Sequence, residues 1–428
     1  MKILVLSAWY APFIHPRAHR WTVLAEYWAA AGHEVTVLTA NVRGQPKESQ
    51  SSGVRVLRCG YDALKEAVYA LFPKMPARGR TGQKPQRISR LQRGLNAIYR
   101  HVWKNLYFPD DACIWYFPAR KKLRALLENE SFDVLISVSL PFSAHLVAQH
   151  TLQTLKNPPR WVADIGDPFS LQAVSPNNRR LYGALNRRLE RSVLTGADAV
   201  CVTHPSTLQL YADTWGSAAT RRMQVIPPLW QAGPAPAEAC RPSGRIKIGY
   251  FGALYAPVRT PDAFLCLLKT IRKLRPDRLE DLEIHFYGEI FPEFYDRLAE
   301  EPVIRLHGLQ TREAVRQAMH EMDILLNIGN ASDFQLPSKA VDYLGAGKPI
   351  LHLSYVERDP FSAFFVGQLP ASLFFILPVQ GNIPNETGIE ACLQWMWAEK
   401  PVLSPEVLAA LVAPYRVEQI AGAYERLM

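Results

Sequence analysis

No Asp-x-Asp pair occurs anywhere in the 428 residues, which removes the usual carboxylate clamp for a metal-bound diphosphate. The six cysteines, Cys59, Cys113, Cys201, Cys240, Cys266 and Cys392, stand far apart, with no Cys-x-x-Cys and no Cys/His cluster at zinc spacing. Neither a structural metal nor a disulfide framework is expected, and a reducing cytoplasm is. No run approaches the roughly 18 apolar residues of a membrane span. The opening apolar run, Ile3 to Leu6, has no cleavage pattern behind it, so the chain reads as neither transmembrane nor secreted. The tight glycine pattern of a dinucleotide-binding turn is missing from Ser7 to Phe13 and from Phe251 to Val258, which argues against a dehydrogenase. A two-lobed solute-binding protein, the non-enzyme alternative, would normally carry a signal peptide.

One further absence is local. Between Glu66 and Asp110 there is no acidic residue, yet Lys74, Arg78, Arg80, Lys84, Arg87, Arg90, Arg93, Arg100 and Lys104 all fall there, nearly the whole net charge of +10. Such concentration implies one anionic partner rather than a generally basic surface. From Ile88 the apolar residues Ile88, Leu91, Leu95, Ile98, Tyr99, Val102 and Trp103 form a helical stripe, with Arg87, Arg90, Arg93, Arg100 and Lys104 on the remainder. A basic amphipathic helix of this kind would lie on an anionic membrane surface; otherwise the stripe packs on the first domain and the charges face water. Nucleic acid is not the expected partner, because the aromatics lie on the apolar face rather than interleaved with the charges.

What is present is an α/β alternation repeated twice, and the length suits two domains of about 200 residues. Strand-like runs at Lys2 to Ser7, Glu34 to Thr39, Val54 to Leu57, Asp133 to Ser139, Trp161 to Ile165, Asp198 to Thr203 and Met223 to Ile226 are separated by helical patterns. An irregular loop is expected through Arg20, with a helix from Trp21. A proline-rich stretch, 227–244, reads as a linker. A second series follows at Ile246 to Phe251, Leu282 to Tyr287, Val303 to Leu306, Met322 to Asn327, Pro349 to Leu353 and Leu373 to Leu377. The expected architecture is two doubly wound parallel-sheet, Rossmann-like domains, 1–226 and 245–403, facing a central cleft, with a final helix over 404–428.

Ligands in such sheets bind outside the carboxyl ends of the strands. After the strand ending at Asn327, Pro337, Ser338 and Lys339 open a helix, so free N–H groups and a cation sit together as an anion site. Asp342, one turn on, would accept from the hydroxyls of a ribose; the competing reading is an ion pair between Lys339 and Asp342. Gly345 and Gly347 would let a ligand approach, or merely cap the helix. After Phe251, Gly252 clears space and Arg259 would reach the same diphosphate. Gly288 with Glu289, and His307 with Gly308, suit a floor for base and sugar, or are plain turns. In the first half, Asp164 and Asp167 follow a strand and either would orient an attacking hydroxyl. His145, at a helix start, is a further catalytic candidate or a buried structural histidine.

These residues resemble the retaining glycosyltransferase family 4 group of the GT-B fold, over most of the chain. Ile248-Gly249-Tyr250-Phe251-Gly252 with Arg259, and Leu336-Pro337-Ser338-Lys339 followed by Asp342 through Ile350, look like its donor site. Trp9-Tyr10-Ala11-Pro12, Gly32 through Val37, and Phe132 through Ser137 with Pro141-Phe142-Ser143 look like its acceptor domain. The resemblance implies that Arg259 and Lys339 hold a diphosphate, that Asp342 holds the ribose, and that transfer retains anomeric configuration. It implies a nucleotide-sugar donor, no cofactor, and a lipid-linked or glycan acceptor in cell-surface polysaccharide synthesis at the inner face of the cell membrane. Two departures stand out. The family's paired glutamates would fall at Phe334 and Asp342, and its glycine-rich first turn is replaced by a segment in which Arg17 or Arg20 would serve the phosphate. A nucleotide-sugar epimerase or a phosphorylase of similar fold is the alternative.

Overall fold

In the first strand, β1 (Lys2–Leu6), side chains alternate between two cores: Ile3 and Val5 pack on one face of the sheet, Leu4 and Leu6 on the other. Both faces are apolar because helices cover both, the pattern of a doubly wound sheet. The computed structural model describes residues 1–60, 106–232 and 244–428, apart from residues 14, 173, 382 and 385. The basic stretch containing Arg87, Arg90, Arg93, Arg100 and Lys104 lies outside the described residues. So does most of the expected linker.

The described residues form two compact units. The first holds β1, β2 (Glu34–Ala40), β3 (Glu48–Ser51), β4 (Val54–Cys59), β5 (Val134–Val138), β6 (Arg160–Ile165), β7 (Ala199–Val202) and β8 (Met223–Val225) in the order β3-β4-β2-β1-β5-β6-β7-β8. All pairs are parallel except β3 with β4. Its helices are α1 (Pro16–Ala30), α2 (Cys113–Asn129), α3 (Ser143–Leu152), α4 (Arg179–Gly196), α5 (Pro205–Trp215) and α6 (Ser217–Thr220). Trp21, Leu24 and Trp28 of α1 fill one core, while Trp115 and Leu123 of α2 fill the other.

The second unit spans Trp230–Arg416. Its strands β9 (Ile246–Phe251), β10 (Leu282–Tyr287), β11 (Ile304–Gly308), β12 (Ile324–Ile328), β13 (Ile350–Ser354), β14 (Phe374–Gln380) and β15 (Ile383–Pro384) run in the order β11-β10-β9-β12-β13-β14-β15. Only β15 is antiparallel to its neighbour. Its helices are α7 (Asp262–Leu274), α8 (Pro276–Glu280), α9 (Pro292–Ala299), α10 (Arg312–Glu321), α11 (Lys339–Ala346), α12 (Pro360–Phe365), α13 (Glu386–Trp397) and α14 (Pro405–Val412). The chain then passes back: α15 (Val417–Glu425) belongs to the first unit, where Tyr424 packs edge-on against Trp21 and Trp28.

The doubly wound parallel sheets are as expected, each with one antiparallel pair at an edge. Two expectations are corrected. The single final helix is two helices with a 3-10 turn at Ala413–Tyr415 between them, and the two pack in different units. And α1 begins at Pro16, not Trp21, because Pro16 fits the first helical turn and the His15 side chain caps it, accepting from Arg17 N–H at 3.2 Å. Arg17 and Arg20 therefore lie on a helix rather than in a loop.

Candidate functional site

Strand order reverses at β1 in the first unit and at β9 in the second, so the switch points lie between β1 and β5 and between β9 and β12. Ligands in doubly wound sheets bind at such points, at the carboxyl ends of the strands.

In the second unit, Arg259 follows β9 and Lys339 opens α11 after β12, so both cations flank the switch point. The Arg259 guanidinium donates to Asn330 Oδ1 at 2.6 Å and to the Ala253 carbonyl at 3.2 Å. The Lys339 ammonium is buried and has no hydrogen-bond partner among the described residues. It lies 4.5 Å from the Tyr250 ring centroid and 5.4 Å from that of Tyr343, a cation-π setting that attracts charge without neutralising it. Among the described residues no carboxylate forms a salt bridge with either cation. Burial, and secondarily the neighbouring Arg259, hold the Lys339 pKa well below the usual lysine value.

Gly252 sits between them. A Cβ there would lie 3.4 Å from an Arg259 nitrogen and 3.5 Å from Lys339 Nζ. Gly288, at φ +128°, supports it from the next strand, where a Cβ would be 2.2 Å from the Gly252 carbonyl oxygen. Gly288 is thus glycine because backbone meets backbone, and Gly252 because side-chain atoms of Tyr250, Arg259 and Lys339 crowd the place of a Cβ, and the result is a cleared, doubly cationic spot. Beside it a row of rings crosses three strands: Tyr287 stacks on Phe251 at 4.9 Å and on His307 at 4.2 Å. Burial keeps His307 below the usual histidine pKa, and its Nε2 meets His285 Nδ1 at 2.9 Å. Glu289 is half-buried, its carbonyl accepting from Leu254 N–H.

The competing ion pair of Lys339 with Asp342 does not form. Asp342 faces Arg312 of α10 at 3.5 Å, and burial raises its pKa while Arg312 and Arg316 pull it back. Pro337 and Ser338 precede α11, with Ser338 at the cap position and exposed. Gly345 has a packing role instead of clearing a ligand, since a Cβ there would fall 2.0 Å from the Trp230 indole nitrogen. Gly347 caps the helix in the left-handed region at φ +63°.

In the first unit, Asp164 at the end of β6 is 1% exposed, and its carboxylate is fully engaged by neighbours. It forms a short ion pair with Arg17, accepts from Trp21 Nε1 at 3.1 Å, and accepts from the Tyr424 hydroxyl at 2.8 Å. Arg17 also donates to the Ser139 carbonyl at 2.7 Å. Arg20 is buried, donating to the Pro227 carbonyl at 2.7 Å and to the Tyr424 hydroxyl at 3.2 Å. Asp164 and Arg20 are thus committed to internal bonds, and Arg17 is largely so. His145 is fully buried, its Nδ1 2.7 Å from Ser137 Oγ, and burial pushes its pKa down to about 3, which leaves it neutral. Asp167 is half-buried in a turn whose next residues, Phe169 and Ser170, donate backbone N–H groups to Glu190.

Sequence reasoning gives no role to the side chains of Tyr250, Tyr343 and Asn330, although Tyr343 lies four residues after Lys339 and so on its helix face.

Residues 18–228 match the model of the glycosyl transferase 4-like domain family. No curated protein sequence matches the chain. Among solved structures, sucrose-phosphate synthase from Thermosynechococcus elongatus is 14% identical with a TM-score of 0.69, covering 100% of this chain and 98% of that one. HepE of Anabaena, in complex with UDP and glucose, is 12% identical with a TM-score of 0.59, covering 100% and 98%. WaaG, a glycosyltransferase involved in lipopolysaccharide biosynthesis, is 12% identical with a TM-score of 0.55, covering 99% and 95%. Residues 18–228 therefore match a glycosyl transferase 4-like domain, and the chain as a whole has the two-sheet GT-B fold of these glycosyltransferases.

Proposed function

We propose that the chain transfers a sugar from a nucleotide-diphosphate sugar to a hydroxyl acceptor, with retention of anomeric configuration and without metal. The observation that carries this reading is the pair of cations at the switch point of the second unit: Arg259 and a buried Lys339 with no counter-ion among the described residues. A buried ammonium without a partner is costly, and an anionic ligand is what offsets it. A diphosphate placed there puts both charges on the leaving group, where they stabilise the negative charge that develops as the sugar–phosphate bond breaks. Asp342 is assigned to the ribose. Gly288, Glu289 and His307 are assigned to the floor under base and sugar, and the N–H groups that follow Pro337 and Ser338 to the phosphates.

The solved structures of HepE with UDP and glucose and with UDP-glucose support a nucleotide-sugar donor. The involvement of WaaG in lipopolysaccharide biosynthesis supports a lipid-linked glycan acceptor in cell-surface polysaccharide synthesis, reached from the inner face of the membrane. On the acceptor side, the internal bonding of Asp164 and His145 supports a positioning role for them, and Asp167 is the carboxylate nearer solvent.

The test is a panel of nucleotide-sugars read by thermal shift, followed by assay with and without acceptor. Stabilisation by one donor, and transfer only when an acceptor is present, is the expected result. Turnover of the nucleotide-sugar alone, or release of sugar phosphate, would instead identify an epimerase or a phosphorylase.

A further inference from the structure

Helix α4 carries five arginines, Arg179, Arg180, Arg187, Arg188 and Arg191, and all are exposed. None forms a salt bridge among the described residues. The helix has one carboxylate, Glu190, and it points inward, bonded to the Phe169 and Ser170 N–H groups and to the Tyr211 hydroxyl at 2.7 Å. Asn186, Val193 and Leu194 are buried on the same side, so that face is fixed in the core. At 100° per residue the opposite face presents Arg188 and Arg191 together with Leu181 and Leu185, which are 60% and 41% exposed. Near the start of the helix, the Tyr182 hydroxyl donates to the carbonyl of Leu106, itself 58% exposed.

Arg187, Arg188 and Arg191 also line an open hollow of about 530 Å³, completed by Ser192, Thr195 and Trp215. Three guanidinium groups, two hydroxyl-bearing side chains and an indole around one depression match a phosphate ester, since guanidinium forks bind phosphate oxygens bidentately. Exposed leucines between arginines favour a surface that is charged outside and apolar beneath, which a soluble phosphate is not.

We propose that the outer face of α4 docks on an anionic phospholipid bilayer, with Leu181 and Leu185 entering the headgroup boundary and the arginine hollow taking a lipid phosphate. The inference extends the proposed work at a membrane but does not depend on transfer, because vesicles without donor or acceptor suffice to test it. It assigns the contact to residues distinct from the basic stretch before Leu106.

The experiment is co-sedimentation of the full chain with phosphatidylglycerol–phosphatidylcholine vesicles, comparing wild type with the triple variant Arg187→Gln, Arg188→Gln, Arg191→Gln. A second triple variant, Arg245→Gln, Lys269→Gln, Lys273→Gln, removes equal charge from exposed positions of the other unit. The α4 variant should bind at least tenfold more weakly and the control less than twofold. Leu181→Asn with Leu185→Asn should remove the binding that survives high salt. Equal losses in both triple variants would mean that only net charge matters, and the proposal fails. It fails too if neither loses binding, or if the α4 variant loses heparin binding while keeping vesicles, the outcome of a soluble polyanion site. A Lys339→Ala variant should bind vesicles as wild type does, which keeps a failed donor site from being mistaken for a failed membrane face.

Discussion

A lysine ammonium buried between two tyrosine rings and an arginine is held where its charge is least comfortable, and that discomfort has readable consequences. Lys339→Ala and Arg259→Ala should each lower kcat/KM by roughly 10²-fold, the usual effect of losing one transition-state charge contact. The unliganded Lys339→Ala protein should melt no lower than wild type, because no partner is orphaned when the ammonium goes. Near-normal turnover in both variants would remove the diphosphate from this spot. The pH dependence follows from the same burial. The folded-state pKa lies below the unfolded one, so between the two values the unfolded chain binds more protons, and Lys339 destabilises less as pH rises through its depressed value. Donor binding runs the other way. A diphosphate diester keeps its charge through neutral and alkaline pH and prefers the ammonium form, so donor affinity should fall with rising pH and binding should take up protons. Calorimetry in two buffers of different ionisation enthalpy measures that uptake; affinity that strengthens with pH would contradict it. Asp342→Ala should chiefly raise the donor KM, since a ribose contact is made alike in ground and transition states. A change confined to kcat would argue against it.

The element that organises the first unit is α1, and it is tied to the rest by one carboxylate. Asp164 joins β6 to α1 through Arg17 and Trp21, and to α15 through Tyr424, whose hydroxyl also accepts from Arg20. Asp164→Asn should cost about 3–5 kcal/mol, because breaking a buried pair leaves a guanidinium without its counter-ion. Tyr424→Phe should cost about 1–3 kcal/mol, because its buried partners are left unsatisfied. Denaturation followed by tryptophan fluorescence reports both, since Trp21 and Trp28 pack on Tyr424. If Asp164→Asn abolished transfer with stability unchanged, Asp164 would act in catalysis after all. None of this knot was legible in sequence: Asp164 lies 147 residues from Arg17 and 260 from Tyr424, and nothing in the composition of Ala163 to Pro168 points to either. The strands were legible because β1, β5, β9 and β12 are largely apolar runs. The edge strand β3, with the sequence Glu-Ser-Gln-Ser and little burial, had no apolar period to detect. The start of α1 was hidden because a histidine, outside the common capping residues, caps it. The placing of Arg259 and Lys339 beside the switch point is legible because position after a strand is readable from sequence, whereas the lack of a counter-ion among the described residues is visible only in space.

For the molecule as a whole, positive charge is gathered in three places. Nine cations fall in the stretch before Asp110, five arginines lie exposed on α4, and two cations flank the switch point of the second unit. Among the described residues the last two face no carboxylate while being removed from water, and that bears on how a departing diphosphate would be stabilised. In a metal-dependent transferase a divalent ion held by paired carboxylates carries the leaving charge. Here the sequence has no Asp-x-Asp pair, and two positive charges come from Arg259 and Lys339, in a site where low dielectric makes each worth more than in water. A metal added beside them would meet two cations and would be repelled rather than recruited. Transfer should therefore proceed in excess chelator at close to its ordinary rate, and added magnesium or manganese should not restore Lys339→Ala. Initial rates with and without chelator, on wild type and on that variant, measure both. A fall of about a hundredfold or more in chelator that either metal reverses would overturn the metal-free mechanism, since a bound Lewis acid is worth several kcal/mol. It would then direct attention to carboxylates beyond the described residues.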